Sequence, residues 1–294
     1  MKIGILIFSH PEADSHAQAD RFEKAGRELG IDIVRIHEPL LTIKNSDQKI
    51  LIKCDGRPEM SILDFDSVIC RPNFIEEPSL HQFTIQAFIN SGVRVINGNI
   101  SAAKNKLDQH IRLTEVGVPM PRWAIAHTPE NLLATAKSIG FPVVCKVAFG
   151  THGKGVFFAP TQETFLPIVD YLAVRDGNPV IIEEYIETDR RDLRVFVLNG
   201  RILAAMERVA KPGDIRANTS IGGTGTHVEL SPDETALAIR AAHTFNLEIC
   251  GVDILRSPRG PLVIEVNANP GFKELERVTG IDIAKAILTS VIHQ

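Results

Sequence analysis

Near the carboxyl end of the chain, Gly251–Phe272 reads GVDILRSPRGPLVIEVNANPGF and carries Asp253, Glu265 and Asn267 within two apolar runs. The runs, Val252–Leu255 and Leu262–Val266, are separated by Ser257-Pro258-Arg259-Gly260, which is turn chemistry between strands. Residues two apart on a strand share a face, so Glu265 and Asn267 point the same way. A hairpin loop at Ser257–Pro261 sets Asp253 opposite Glu265. Two carboxylates and an amide oxygen facing one another are hard oxygen donors suited to magnesium, with phosphates and waters completing the shell. Without a cation, two carboxylates about 4 Å apart repel by about 1–4 kcal/mol. Taken alone, the trio fits equally well the solvated polar face of an ordinary hairpin.

Other segments add cationic and phosphate-friendly chemistry. Lys104 and Lys106 fall on a helix predicted over Ser101–Val116, and Lys146 ends a strand over Phe141–Val147. Gly150-Thr151-His152-Gly153-Lys154-Gly155 then leads into the strand Val156–Ala159. This is no Walker loop, because Gly155 follows Lys154 where Ser or Thr is required. Nor is it a dinucleotide fingerprint, since it joins strand to strand. Small residues between antiparallel strands let backbone N–H groups approach phosphate oxygens. On its own the loop reads as a flexible hairpin tip. Val180–Glu184 is a strand leading into Tyr185-Ile186. Asn199-Gly200 joins the strands Asp192–Leu198 and Arg201–Glu207 in a tight turn, with Asp192, Arg194, Glu207 and Arg208 as polar positions. Lys211, Arg216 and Asn218 follow in a loop rich in glycine (Gly213, Gly222, Gly223, Gly225), a clustering that suggests anion handling.

The elements that must position these groups begin with strand–helix alternation. Lys2–Phe8, Ile31–Ile36, Ser67–Arg71 and Arg94–Asn97 read as strands, with helices over Ala13–Leu29 and Ser79–Asn90. Pro39–Met60 is less regular, and Asp55-Gly56 suggests a small hairpin there. Such alternation predicts a parallel sheet covered on both faces. Ligand crevices lie at the carboxyl ends of such strands, so Ser9, His10, Arg71 and Asn73 are possible substrate contacts. His10 reads as a loop histidine, whereas a buried arginine must find an anion. Gly117, Pro119 and Pro121 mark the first domain boundary, near Val118. Further helices are predicted over Thr164–Val174, Pro232–Phe245 and Ile281–Ile292.

The bulk properties narrow the class. A chain of 294 residues suggests about two domains and can bury a sizeable core. A net charge of -4 argues against a general nucleic-acid binder. Cys54, Cys70, Cys145 and Cys250 are scattered without a CxxC pair, which fits buried thiols in a reducing cytosol. The apolar run Ile3–Phe8 is too short for a signal sequence or a membrane span.

Taken in order, these segments resemble the ATP-grasp superfamily, and within it the RimK-type α-L-glutamate ligases. The resemblance spans nearly the whole chain and is most specific at Cys145–Val156, Glu183–Val197, Ala204–Asn218 and Gly251–Gly271. It implies a doubly wound parallel α/β domain (1–118), a central subdomain with a glycine-rich flap (119–185) and a metal-bearing subdomain (186–294). The last two clasp ATP between antiparallel sheets. By the family pattern Lys106 and Lys146 hold ATP phosphates, and Gly150, Thr151, Gly153 and Gly155 belong to the flap. Glu183, Glu184, Tyr185 and Ile186 hold adenine, and Asp192 lies near the ribose. Arg208, Arg216 and Asn218 surround the γ-phosphate and act in catalysis. Asp253, Glu265 and Asn267 bind magnesium or manganese, with two ions implied. Three departures stand out. Glu183 replaces an expected glutamine, the linker 187–191 is one residue shorter, and residues 8–20 and 73–80 differ.

The activity so implied is an ATP-dependent carboxylate–amine ligation through an acyl phosphate, which needs no side-chain nucleophile. The resemblance points to L-glutamate as the amine and to a protein or peptide carboxylate as the acceptor. It also implies a cytoplasmic homo-oligomer with no membrane or direct nucleic-acid role. A glutathione-synthetase-like or lysine-biosynthesis-type ligase is the alternative within the superfamily. A nucleotide-binding scaffold without catalysis is the alternative outside it. The run of Arg190, Arg191, Arg194, Arg208, Lys211 and Arg216 is basic in an acidic chain, a surplus that suggests an anionic substrate. The bland reading of Arg190 and Arg191 is exposed pairing with Glu187 and Asp189.

Overall fold

The computed structural model describes residues 1–13, 17–46, 49–54, 64–73, 78–148, 155–175, 177–211 and 223–293. The amino-terminal third alternates as expected: β1 (Lys2–Ile7), α1 (Ala17–Leu29), β2 (Asp32–His37), a hairpin of β3 (Leu41–Ser46) and β4 (Lys49–Cys54), β5 (Ser67–Arg71), α2 (Ser79–Asn90) and β6 (Arg94–Ile96). Its four parallel strands lie in the order β2-β1-β5-β6. β3 and β4 pair from Leu41 and Cys54 to Ser46 and Lys49, and the expected Asp55-Gly56 turn lies outside the described residues.

The predicted single helix over 101–116 is two helices, α3 (Ile100–Lys104) and α4 (Lys106–Glu115). Asn105 leaves helical conformation (φ -94°, ψ 110°), and its side chain accepts the Leu107 N–H as an N-cap. The break puts Lys106 at the first position of α4.

A second sheet follows from β7 (Trp123–Ala126), α5 (Pro129–Ile139), β8 (Val143–Val147), β9 (Val156–Ala159), α6 (Gln162–Arg175) and β10 (Val180–Glu184). Its strands are antiparallel in the order β7-β10-β8-β9, with α5 and α6 on its apolar face. The third sheet is built from β11 (Arg191–Leu198), β12 (Arg201–Val209), β13 (Thr224–His227), β14 (Ile249–Ser257) and β15 (Gly260–Asn267), with α7 (Pro232–Thr244) between β13 and β14. It is antiparallel, in the order β13-β12-β11-β14-β15. Asn199 and Gly200 both take positive φ (49° and 71°), as the predicted two-residue turn requires. Leu193, Val195, Val252, Ile254 and Val266 pack the sheet against α7, which leaves the opposite face for charge.

The end of the chain returns to its beginning. α8 (Lys273–Thr279) and α9 (Ile283–Ile292) bury Leu275, Ile283, Ile287 and Val291 in one core with Ile3, Ile5 and Phe22 of the first sheet and helix. Phe272 sits edge-on to Phe22 and to Phe196, with centroids 5.7 and 6.3 Å apart. Asn97 joins the first and third sheets. Its buried amide donates to the Ile249 and Ala268 carbonyls (2.5 and 3.1 Å) and accepts the Ile249 N–H (2.8 Å). Asn also tolerates the φ of 58° found there. Asn97→Ala is expected to destabilise the protein by about 2–4 kcal/mol, because it orphans buried backbone groups. Urea denaturation would show this, and an unchanged midpoint would mean that the sheets are joined elsewhere.

Candidate active site

The carboxylate hairpin forms by a route the sequence does not display. The turn closes at Ser257 and Gly260, one residue tighter than Ser257–Pro261. A bulge between Asp253 and Ile254 then shifts the register back, so Asp253 lies opposite Glu265 and Gly251 opposite Asn267. Asp253 is buried and already neutralised. Arg194 donates to it through Nε and Nη2 (2.5 and 2.9 Å), and Arg208 Nη2 lies 3.1 Å away. Arg208 in turn clasps Asp192 at 2.6 and 2.8 Å. Arg208 and Asp192 are cross-strand partners, as are Arg194 and Asp253, so four charges alternate across three strands. Burial raises the Asp192 carboxyl above its usual range despite Arg208. At Asp253 burial acts in the same direction, but Arg194 and Arg208 together overcome it and hold the carboxyl low.

Glu265 is the more exposed carboxylate, and its Oε1 lies 3.4 Å from Lys106 Nζ. Asn267 Oδ1 accepts the Asn269 N–H at 3.0 Å. Among the described residues, no three His, Cys, Asp or Glu side chains converge on one point. A hard cation would therefore draw on Glu265, the Asn267 amide and an edge of Asp253, with phosphate oxygens supplying the rest. The donor chemistry fits such an ion, and the hairpin puts all three on one face.

Lys106 and Lys146 belong to one continuous chain of contacts. Lys146 on β8 and Glu183 on β10 share a face of the second sheet, with Nζ 2.6 Å from Oε2. The other oxygen of Glu183 lies 2.5 Å from His110 Nε2, and His110 Nδ1 lies 2.6 Å from the Lys106 carbonyl. A carbonyl can only accept, so Nδ1 carries a proton. Glu183 is buried, which alone would raise its pKa, but Lys146 and His110 outweigh burial and bring it down to about 2. The backbone of Lys106 is fixed too, its N–H donating to the Ala148 carbonyl at 3.1 Å.

Two positioning residues, His110 and Gln109, are not among the expected site residues. His110 sits one helical turn after Lys106, and that i+4 spacing was the clue available. Gln109, beside it, donates to the Val266 carbonyl (3.0 Å) and accepts the Val266 N–H (2.9 Å). It thereby extends the edge of β15 between Glu265 and Asn267, locking α4 to the hairpin.

The remaining expected residues divide. Glu184 receives Arg259 from the hairpin turn (2.7 Å) and Arg122 (3.3 Å), so it ties β10 to the hairpin. Tyr185 stacks obliquely on Phe158 (4.8 Å), and Ile186 is half-buried in the link between the second and third sheets. Gly155 has φ 81°, and a Cβ there would meet Val147 Cγ2 at 2.3 Å, so only glycine fits where the loop rejoins β9. Gly150, Thr151, Gly153, Arg216 and Asn218 lie outside the described residues. Of the basic surplus inferred from the sequence, Arg194 and Arg208 are internal, whereas Arg190, Arg191 and Lys211 are exposed. Arg194 and Arg208 are bound to aspartates, and Arg191 pairs with Glu207 at 2.5 Å, away from Glu187 and Asp189.

The depressed Glu183 gives a signed pH dependence. A carboxyl ionising at about 2 when folded and near 4.5 otherwise contributes stability above 4.5 that is lost as pH falls towards 2. Wild type is therefore expected to exceed Glu183→Gln in stability near neutral pH, with the gap closing through that window. A gap that stays constant in urea melts across it would contradict this assignment.

The comparisons bear on what this geometry is. A family model described as the RimK-like ATP-grasp domain matches residues 103–291. A protein of Thioalkalivibrio sulfidiphilus named "Probable alpha-L-glutamate ligase" is 36% identical over 283 residues, covering 92% of this chain and 90% of its own. A Marinomonas protein of the same name is 33% identical over 299 residues, covering 99% and 95%. Among solved structures, the RimK domain ATP-grasp protein of Sphaerobacter thermophilus superimposes with a TM-score of 0.73 at 18% identity, covering 99% and 100%. The macrocyclase MdnC of Microcystis aeruginosa, bound to its precursor peptide MdnA, gives 0.74 at 18% identity, covering 100% of both. These two carry the fold alone. The family match and the relatives at 33–36% identity show that the chain belongs to the RimK-like ATP-grasp family of ATP-dependent ligases.

Proposed function

We propose that the protein joins L-glutamate to a carboxylate at the end of a protein or peptide, through an acyl phosphate made with ATP. The supporting observation is the unbroken chain Lys146–Glu183–His110–Lys106–Glu265, which gathers four separate stretches of sequence around one place. In this reading Lys106 and Lys146 turn from Glu265 and Glu183 to the phosphates, while Glu184, Tyr185 and Ile186 receive the adenine. Asp192 orients Arg208, which with Arg216 and Asn218 handles the transferring phosphate. Gly150, Thr151, Gly153 and Gly155 close over it. Magnesium or manganese, two ions in the full assignment, would be held by Asp253, Glu265 and Asn267 and would neutralise phosphate charge. The substrate carboxylate attacks the γ-phosphorus and releases ADP. The glutamate amine then attacks the acyl carbon and releases phosphate.

Support for glutamate comes from the names of relatives at 33–36% identity, and support for a peptide acceptor from fold neighbours complexed with precursor peptides. With it go the unit boundaries 1–118, 119–185 and 186–294, self-association and a cytoplasmic setting. No helix among the described residues is long and apolar enough to cross a membrane. The test is ADP release with each of the twenty amino acids, with glutamylated peptides as acceptors and mass spectrometry of the products. L-Glutamate should stimulate above all others, with acceptors gaining glutamyl units; equal stimulation by lysine or glycine would refute the glutamate assignment. In calorimetry Lys146→Ala should weaken ATP at least about tenfold, a loss of about 1.4 kcal/mol, while the exposed Lys285→Ala should not.

A further inference from the structure

Arg71 ends β5, beside the last residue of β1, at the carboxyl edge of the parallel sheet. Its side chain is only 4% exposed, yet no carboxylate among the described residues pairs with it. Nη2 donates to the Pro270 carbonyl (2.9 Å) and to the Gln18 amide oxygen, while Nε and Nη1 are buried with no hydrogen-bond partner. The rings of Phe22 and Phe272 lie 5.9 and 5.7 Å from Cζ, so one side of the guanidinium rests on apolar surface. Burial lowers its pKa only to about 10, which leaves it charged at neutral pH. Every other deeply buried charge described above is matched by an opposite one. An unmatched guanidinium with two orphaned nitrogens is a costly arrangement unless an anion completes it.

We propose that Arg71 forms a subsite for a carboxylate of an amino-acid or peptide substrate, in the crevice between the first sheet and the carboxylate hairpin. The ligand class rests on the ligase reading given above. Three features favour a ligand over a strut. Gln18 is a neutral cap: its amide oxygen stands where a carboxylate oxygen would, and it comes from α1, not from the sheet. Gly271, next to Pro270, is exposed, and a Cβ there would approach only Gln18 Nε2, at 3.5 Å, so displacing one side chain opens a way in. Pro270 also packs on the site itself, since a Cβ on Gly251 would meet Pro270 at 2.8 Å and Arg194 at 3.2 Å. Pro270 and Arg194 thus lie between the subsite and Asp253. Asn73 fixes the floor by accepting the Phe8 N–H and donating to Ser9 Oγ, both at 2.8 Å. A free glutamate and a glutamyl peptide end offer the same carboxylate, which Arg71 would grip with two parallel bonds once Gln18 withdraws.

The test uses the full chain, with L-glutamate and a triglutamyl peptide as separate calorimetric probes, and L-glutamine and the amidated peptide as their uncharged controls. Wild type should bind at least one carboxylate probe, and Arg71→Met should weaken it at least about tenfold with ATP affinity unchanged. The probe that loses affinity identifies the source. If Arg71→Met fails to fold, Arg71→Lys, which keeps the charge without the two-pronged geometry, should still raise KM for that substrate more than it changes kcat. Gln18→Ala should lower KM or leave it unaltered. Unchanged binding of both probes in a folded Arg71 variant, or no binding of either by wild type, would overturn the subsite. Carboxylate binding through Arg71 without glutamate-stimulated ADP release would sink the ligase reading and leave the subsite standing. Glutamate-stimulated release with unaltered KM in Arg71→Lys would do the reverse.

Discussion

Buried charge must be matched, and the site is arranged around that constraint. Lys146, Glu183 and His110 form one neutralised set between α4 and the second sheet, and Arg194, Asp253, Arg208 and Asp192 form another across the third. Removing one member of such a set strands its partner in low dielectric, at a cost of about 3–5 kcal/mol. The two sets therefore fix where α4, β8, β10 and the β14–β15 hairpin stand relative to one another. Lys106 and Glu265 bridge them at their more open edge.

This balance also accounts for Glu183, which stands where the family resemblance leads one to expect glutamine. An amide would leave the buried Lys146 ammonium without the carboxylate that it meets at 2.6 Å. The carboxylate supplies that negative charge and offers its other oxygen to His110. Under the proposed reading, the pair holds Lys146 in place before a nucleotide arrives. Arg71 is the exception to the pattern, a buried cation that no carboxylate among the described residues matches, which is why it is proposed as a substrate subsite.

Much of the architecture was legible in the residues. Ser67–Arg71, Ser79–Asn90 and Val180–Glu184 are bounded as their patterns predict, and Asn199-Gly200 makes the turn its chemistry requires. Asp253 opposite Glu265 was also anticipated, although through a loop one residue too long, because a bulge at Asp253/Ile254 cannot be read from alternation alone. Asn105 was missed as a helix break because Ala103 and Leu107 continue the apolar spacing through it. Asn97, Gln109 and His110 were missed for a deeper reason: their partners Ile249, Val266 and Glu183 are 152, 157 and 73 positions away, and nothing local reports them. Asp253, 59 positions from Arg194, was hidden in the same way, whereas Asp192 lies only 16 positions from Arg208 across the predicted hairpin. Lys106 and Lys146 were legible only as members of an ordered set of motifs.

Under the proposed function, nucleotide and metal take over cations and carboxylates that are here paired with one another. A crystal structure of the protein with magnesium and ADP would show this. Both lysine Nζ atoms are expected on phosphate oxygens, Glu265 and Asn267 on the metal, and the Lys106–Glu265 contact opened beyond the present 3.4 Å. A nucleotide bound while Lys106 stays on Glu265 and Lys146 on Glu183, with phosphates held by other groups, would contradict it.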